Sequence, residues 1–260
     1  MRNKKESNSI IQRAAYGVIR AGFACLFLLL VWVIAERIVG NKLLLPNVLD
    51  CLKETGNILT SNIFWLSFLH TMLRVFLAFG ISFIVALIFA FVSYLLPAFD
   101  EFFSPIVSFL RSLPTLAVLL ILLIWSGAEK APIAVAFLSL FPMLYAGIFA
   151  GLSQTDKGLI QMSKAYQVPL KKRIFQLYLP SCTPYICKEA GAALGFSLKL
   201  VVSAEVLAST YNSLGGMMQE AKLYFEMPRL FALVGISFIV GMLLELLGSI
   251  VATLLKGRRV

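Results

Sequence analysis

Residues whose types could do chemistry are few in this chain and do not cluster. His70 is the only histidine, no His-Glu-x-x-His pattern occurs, and the four cysteines show neither zinc nor redox spacing. No Gly-x-x-x-x-Gly-Lys-Ser/Thr loop occurs either, so any nucleotide would have to be bound by another chain. The sequence therefore predicts no catalytic residue, no metal site and no cofactor, which argues against an enzyme.

Two charged residues, Lys199 and Glu205, stand inside an apolar run. A charge in the middle of a membrane helix costs roughly 2.5 to 3.5 kcal/mol, so it normally faces protein or water and has a partner. Six residues of helix turn by about 600° and rise about 9 Å, so these two side chains do not pair with each other. Two interpretations stay open. Lys199 forms a buried ion pair with Glu245, or Lys199 lines a path for an anionic solute with Glu205 at its outer gate.

The elements that must hold these charges are long apolar runs. Of the 260 residues, 60% are hydrophobic and 14% are charged, whereas a soluble domain has about 25% charged residues. The fold class is therefore an all-α membrane protein. The run lengths predict six transmembrane helices, at about 17–39, 75–96, 108–126, 132–153, 186–208 and 230–255.

The stretches between these runs are read as loops. Residues 40–62 predict an external loop with some amphipathic helix, an interfacial turn precedes residue 108, and residues 126–131 predict a short external loop. Fifteen Lys and Arg residues fall on the side of the N-terminus and seven on the other, with Lys199 the remaining one of 23. This asymmetry predicts cytoplasmic N- and C-termini, and it explains the net charge of +10 without a nucleic-acid site.

Small residues form a ridge in two of the predicted spans. Gly147 and Gly151 are four residues apart in the fourth span, and Gly191 and Gly195 are four apart in the fifth. Such ridges let membrane helices approach closely, which predicts that these two spans pack in the interior.

The longest polar interval, residues 155–184, lies between these two spans and is predicted to be cytoplasmic. Its first part, 155–168, predicts a short helix with Asp156 as N-cap or first-turn acid. A basic cluster follows, and Leu179-Pro180 and Pro184 are then predicted to interrupt the chain. Two interpretations of such a loop are open. It is an ordinary positively charged connection on the cytoplasmic side, or it is a binding site for a partner protein.

This interval resembles the loop that marks permease subunits of binding-protein-dependent ABC importers. The family pattern is Glu-Ala-Ala, three residues, Gly, nine residues and Ile-x-Leu-Pro. Aligned on Leu179-Pro180, the family's Ile falls on Leu177, its Gly on Gln167, and its Glu-Ala-Ala on residues 161–163. Downstream, Lys199 to Glu205 and Ser213-Leu214-Gly215 resemble the nitrate/sulfonate/taurine branch, in which a lysine, an Ala-Glu pair and a Leu-Gly turn recur.

The resemblance implies a type I ABC importer permease (MetI-like) fold over about 65–255, preceded in 1–62 by an extra span and an external loop. Residues 1–260 would then form one permease domain in the cell membrane. It implies a translocation path for a small solute such as nitrate, a sulfonate, taurine or a vitamin precursor. The implied partners are a cytoplasmic ABC ATPase dimer, a second permease copy, an extracytoplasmic substrate-binding protein and the lipid bilayer.

The ATPase would bind to the polar interval, residues 155–184. The residues that the resemblance and the helical spacing assign to this coupling loop are Asp156, Gln161, Met162, Ser163, Lys164, Ala165, Tyr166, Gln167, Leu179 and Pro180. Met162, Ala165 and Tyr166 share one helix face and can fill a groove in a partner, although such a helix can also lie on lipid headgroups. An ion-coupled secondary transporter is the alternative function, but residues 17–130 and 131–260 show no similarity of the kind that inverted repeats produce.

Overall fold

The computed structural model of this chain describes residues 23, 27, 29–41 and 44–257, and the side chains of those up to residue 250. Within these residues every regular element is helical, as the sequence predicted. The helices are α1 (29–39), α2 (Val48–Thr60), α3 (Asn62–Leu95), α4 (Pro97–Ser112), α5 (Thr115–Ser153), α6 (Lys157–Ala165), α7 (Leu170–Arg173), α8 (Leu179–Ala208), α9 (Leu214–Leu223) and α10 (Met227–Gly257). A π-helical turn, Ile174–Tyr178, joins α7 to α8.

Four segments of the described chain are long and apolar enough to cross a membrane: Asn62–Leu95, Thr115–Ser153, Leu170–Ala208 and Met227–Ile250. They contain the whole of the fourth and fifth predicted spans, the second except for residue 96, residues 230–250 of the sixth, and part of the third. The first predicted span, 17–39, lies mostly outside the described residues, and its described end is helical. The amphipathic helix expected within 40–62 is α2, whose N-cap Asn47 accepts a hydrogen bond from the Leu49 backbone N–H.

The predicted start of the third span is wrong, and the predicted loop after it is a tight turn. Residues 97–112 form α4 instead of an interfacial turn, and the chain breaks at Leu113 because a residue before proline avoids the helical region. At the predicted loop 126–131 two helices, 115–126 and 128–153, meet at one non-helical residue, Gly127 (φ 75°, ψ 170°). Leu119 packs in one cluster with Ala131 and Val135, which a straight helix would put about 18 and 24 Å away, so the chain reverses its direction at this kink. Glycine reaches this conformation without steric cost, and the predicted loop is a tight turn.

The prediction that Leu179-Pro180 and Pro184 interrupt the chain is also wrong, because Leu170–Ala208 is continuous. The π-helical turn precedes the first proline and gives the Leu179 N–H a partner at the Ile174 carbonyl, five residues back. A nearby hydroxyl, Thr183 Oγ1, donates to the Leu179 carbonyl at 2.6 Å. Prolines are tolerated in membrane helices when such local adjustments satisfy the backbone.

Helix α3 begins 13 residues before the predicted second span, at Asn62 instead of residue 75. The prediction stopped at Arg74 because a charge ended the apolar run. In the structure Arg74 is a buried residue of α3, and its charge is met by carboxylates from other helices.

Helix α8 is central and packs against α5 on one side and α10 on the other. At the α5 side, a Cβ added to Gly147 would lie 2.4 Å from Glu189 Cγ, and one added to Gly151 would lie 2.7 Å from Tyr185 Cβ. The absence of a side chain at these two glycines therefore sets how closely α5 approaches α8.

The second glycine pair, Gly191 and Gly195, sets how closely α10 approaches α8. A Cβ on Gly191 would lie 2.9 Å from the backbone carbon of Gly248, and one on Gly195 would lie 2.9 Å from Glu245 Cβ. The backbones of α8 and α10 are therefore nearly in contact at Gly191 and Gly248.

Candidate functional site

The polar interval contains the short helix that the sequence predicted. Helix α6 begins after Asp156, whose carboxylate accepts hydrogen bonds from the backbone N–H groups of Gly158 at 2.6 Å and Leu159 at 3.4 Å. These bonds satisfy two of the free N–H groups at the start of the helix, and the negative charge is favourable there.

The end of α6 explains why the family pattern has a glycine at this point. Gln167 has φ 52°, in the left-handed region. The Gln167 N–H donates to the Lys164 carbonyl and the Val168 N–H to the Ser163 carbonyl, both at 3.0 Å, which is the Schellman arrangement that usually requires glycine. Glutamine in this conformation costs roughly 1–2 kcal/mol, but the backbone turn is retained.

No residue of α6 is buried in the chain. Its apolar edge consists of Leu159, Met162 and Tyr166, which lie at helical spacing and are 46%, 55% and 77% exposed. Ile160 packs against the hydrophobic core and attaches the helix to the rest of the protein. The structure thus places a capped, anchored helix with an uncovered apolar edge at the surface.

The other predicted coupling residues are divided between two environments. Gln161, Lys164 and Ala165 are exposed with α6, and Ser163 is half-buried. Leu179 and Pro180 are half-buried at the start of α8, where Leu179 packs against the core. The Leu-Pro end of the family pattern is therefore part of the long helix and not of the exposed edge.

Glu205 is fully buried, and its carboxylate is surrounded by donors. Arg74 Nη1 of α3 lies 3.0 Å from Oε1, and Thr71 Oγ1 donates to Oε2 at 2.9 Å. The backbone N–H of Gly215, at the start of α9, donates to Oε2 at 3.2 Å. This constellation, which we call the Glu205 cluster, ties α3, α8 and α9 together through one carboxylate.

The same arginine reaches the kink in α5. Arg74 Nη2 pairs with the carboxylate of Glu129, whose side chain is 60% exposed and stands two residues after Gly127. Beside this pair, Thr210 Oγ1 donates to the carbonyl of Ala128 at 2.8 Å. The Glu205 cluster therefore also holds the kinked part of α5.

The Ala-Glu pair and the Leu-Gly turn of the branch pattern form one physical unit. The Leu214 N–H donates to Thr71 Oγ1 at 3.0 Å, while the Gly215 N–H binds Glu205. A Cβ on Gly215 would lie 2.3 Å from Glu205 Cβ and 2.6 Å from the Val206 backbone nitrogen, so the approach requires glycine. Sequence reasoning missed Thr71 and the two charged partners, although Arg74 beside a long apolar run was a usable signal.

Lys199 does not form the ion pair with Glu245 that the sequence left open. Both side chains are exposed, and no ion pair joins them among the side chains that the structure describes. Lys199 belongs to an exposed stripe along α8 whose members recur every three or four residues: Ala192, Phe196, Lys199, Ser203 and Leu207.

Four long apolar segments, three of which meet at a buried charge cluster, define a polytopic α-helical membrane protein. Residues 82–259 match the model of the family described as "binding-protein-dependent transport system inner membrane component", and the chain belongs to this family.

Relatives and solved structures agree with this assignment. The chain is 30% identical over 129 residues to a probable ABC transporter permease protein of Brucella melitensis, covering 49% of this chain and 52% of the relative. It is 26% identical over 151 residues to the taurine transport system permease protein of Escherichia coli, covering 58% and 54%. The chain thus spans about half the length of these curated relatives. An inward-facing structure of the MetNI methionine ABC transporter has the same fold, with a TM-score of 0.64, 16% identity, and coverage of 72% of this chain and 93% of that chain.

Proposed function

We propose that this chain is the membrane-spanning permease subunit of an ABC importer. The observation that carries the proposal is the family match over residues 82–259, and it favours an importer over an ion-coupled secondary transporter. The chain would do no covalent chemistry, since ATP would be hydrolysed by a separate dimer on the cytoplasmic side. An external binding protein would deliver a small solute, and relatives named for transport of taurine and of aliphatic sulfonates support that class.

Helix α6 is the docking helix for the ATPase in this proposal. An uncovered apolar edge on a capped helix suits a groove in a partner, as expected from helix-in-groove recognition. The chain continues from α6 through Pro169 into the unbroken segment Leu170–Ala208. A displacement of α6 would therefore move this whole segment, including Lys199 and Glu205, and so drive alternating access.

The exposed stripe of α8 lines the path. A lysine and a serine are poor neighbours for lipid, so a stripe that contains Lys199 and Ser203 is expected to face water or a second copy of the chain. Two copies would enclose the path between their stripes. The buried Glu205 cluster anchors the outer gate, and the N- and C-termini are cytoplasmic, which agrees with the excess of basic residues on that side.

Tyr166→Asp should abolish copurification with the ATPase of the same transport system, because a carboxylate would have to be buried in an apolar groove. The amount of permease in the membrane should not change, since Tyr166 is 77% exposed. Gln167→Gly is the matched control, because it changes the adjacent residue while favouring the existing turn, and it should copurify normally. Undiminished copurification of Tyr166→Asp would place the docking site elsewhere.

A further inference from the structure

Helix α2 exposes a row of leucines. Leu52 and Leu59 are seven residues apart, which is close to two helical turns, so they lie on one line of the helix with Leu49 beside it. Leu49, Leu52 and Leu59 are 64%, 62% and 43% exposed. We call these three residues the leucine face. A different side of α2, with Cys51 and Ile58, is buried against the rest of the protein, so the leucine face is not what attaches α2 to the other helices.

A third side of α2 is polar. Lys53 and Asn57 are exposed, and Asn57 Nδ2 donates to Glu54 Oε2 at 3.1 Å. Asn57 is five residues after Leu52, so these two side chains point about 140° apart around the helix. Exposed leucines on one side and exposed polar groups on another are typical of a helix that lies in the surface of a membrane.

Two tryptophans bind the two ends of α2. Trp32 Nε1 donates to the carbonyl of Pro46, just before the helix, at 3.1 Å. Trp65 Nε1 donates to the carbonyl of Leu59, in the last turn of the helix, at 2.9 Å. Tryptophan is enriched at the membrane–water interface, where its ring lies in apolar surroundings and its N–H meets a polar group. Both ends of α2 therefore have the side chain that is typical of this depth.

The neighbouring helices place α2 at the same level. It packs against α10, and the ring of Trp32 lies 5.1 Å from that of Phe231, which is four residues, or about 6 Å, after the start of α10. After Ser61, α2 leads directly into α3, a span whose first turns expose Ile63 and Leu66 at 66% and 48%. The leucine face is therefore continuous with the apolar surface that the spans present to lipid.

We propose that α2 lies in the headgroup region of the bilayer and inserts its leucine face among the acyl chains of the adjacent leaflet. With cytoplasmic termini, this is the outer leaflet. The attraction is apolar and not electrostatic, because α2 carries Asp50 and Glu54 against one lysine, Lys53. Its partner is the hydrocarbon of any phospholipid and not an anionic headgroup. The inference goes beyond the proposed function and needs only that the chain spans a membrane.

The test places a small fluorescent amino acid at Leu52 in one protein and at Asn57 in another. Each protein is purified with the subunits that accompany it and is reconstituted in phosphatidylcholine nanodiscs. One quencher is a phospholipid with a nitroxide near the top of its acyl chain, and the other is iodide in the water. An interfacial helix buries its apolar face about 5–10 Å into the boundary of headgroups and acyl chains, so the nitroxide lipid should lower the emission at Leu52 about twofold. Iodide should have little effect there, and the probe at Asn57 should show the reverse.

Two controls accompany this comparison. A probe at Leu59 repeats the measurement on the leucine face, so the test does not depend on the folding of one labelled protein. Nanodiscs of phosphatidylglycerol should give the same quenching at Leu52 as phosphatidylcholine, because the contact is with hydrocarbon. Quenching that occurs only in phosphatidylglycerol would assign the contact to headgroup charge and overturn the inference.

Three other results would also overturn it. If iodide quenches the probes at Leu52 and Leu59 as strongly as the probe at Asn57, the leucine face lies in water. If neither quencher reaches Leu52 and Leu59, another protein surface covers them, such as a second copy of the chain. If the external binding protein removes the quenching by the nitroxide lipid, the leucine face is a docking surface for that protein.

Discussion

Glu205→Ala is expected to leave little folded protein. The change removes the only carboxylate that Arg74 Nη1, Thr71 Oγ1 and the Gly215 N–H share among the described contacts, and all three donors are buried. Removing one partner of a buried ion pair typically costs about 3–5 kcal/mol. Because whole domains are stable by only about 5–15 kcal/mol, this loss is a large share of the total.

The matched control for this change is Glu129→Ala. Glu129 pairs with the same arginine, but its side chain is 60% exposed, so we expect a loss of about 1 kcal/mol or less. Thermal unfolding in detergent, followed by size-exclusion chromatography, measures both variants. Equal unfolding midpoints for Glu205→Ala and Glu129→Ala would contradict the conclusion that the buried Glu205 cluster stabilises the fold.

Gly248→Val should separate α8 from α10 and destabilise the protein strongly. A Cβ at this position would lie 2.2 Å from the Gly191 Cα, which is backbone and cannot turn away. Overpacking of this kind costs typically about 1–3 kcal/mol, and a branched side chain at a backbone contact belongs at the upper end.

Gly235→Val provides the comparison within the same helix. A Cβ at Gly235 would meet nothing within 4 Å, while the change of residue type is the same. Thermal unfolding midpoints of the two variants should therefore differ by several degrees, with Gly248→Val lower. Similar midpoints would mean that the backbones of α8 and α10 are not held in contact at Gly191.

Features that depend on local pattern could be predicted from the sequence. The apolar run of α10 and the polar interval with Asp156 at the start of α6 are local signals, and the structure has both. The spacing of Gly191 and Gly195 likewise predicted a close approach, although not to which helix. A run of apolar residues predicts a helix, but it does not predict which other helix packs against it.

Features that depend on distant partners could not be predicted. Arg74 ended the second span in the sequence because nothing local neutralises it, whereas its partner Glu205 is 131 residues away. Glu245 lies beside Gly195, about one turn of α8 from Lys199. The ion pair that the sequence left open still does not form, because two side chains at the same level of neighbouring helices need not point at each other.

Kinks and turns were the second source of error. Gly127 was read as part of a loop, and Pro180 and Pro184 as breaks, because glycine and proline commonly mark such positions. At Gly127 the turn does occur, but one residue with a positive φ suffices for it. At the prolines the break does not occur, because a π-helical turn lets α8 continue through them.

The most direct test of the account is a photo-crosslink from α6 in intact cells. A benzoylphenylalanine placed at Met162, which is 55% exposed, should form a light-dependent adduct with the ATPase subunit of the transport system. The same probe at Tyr211, which is 78% exposed and expected on the outer side, should form none. An adduct at Tyr211, or a Met162 probe that reacts only with lipid or with the external binding protein, would contradict both the docking helix and the orientation.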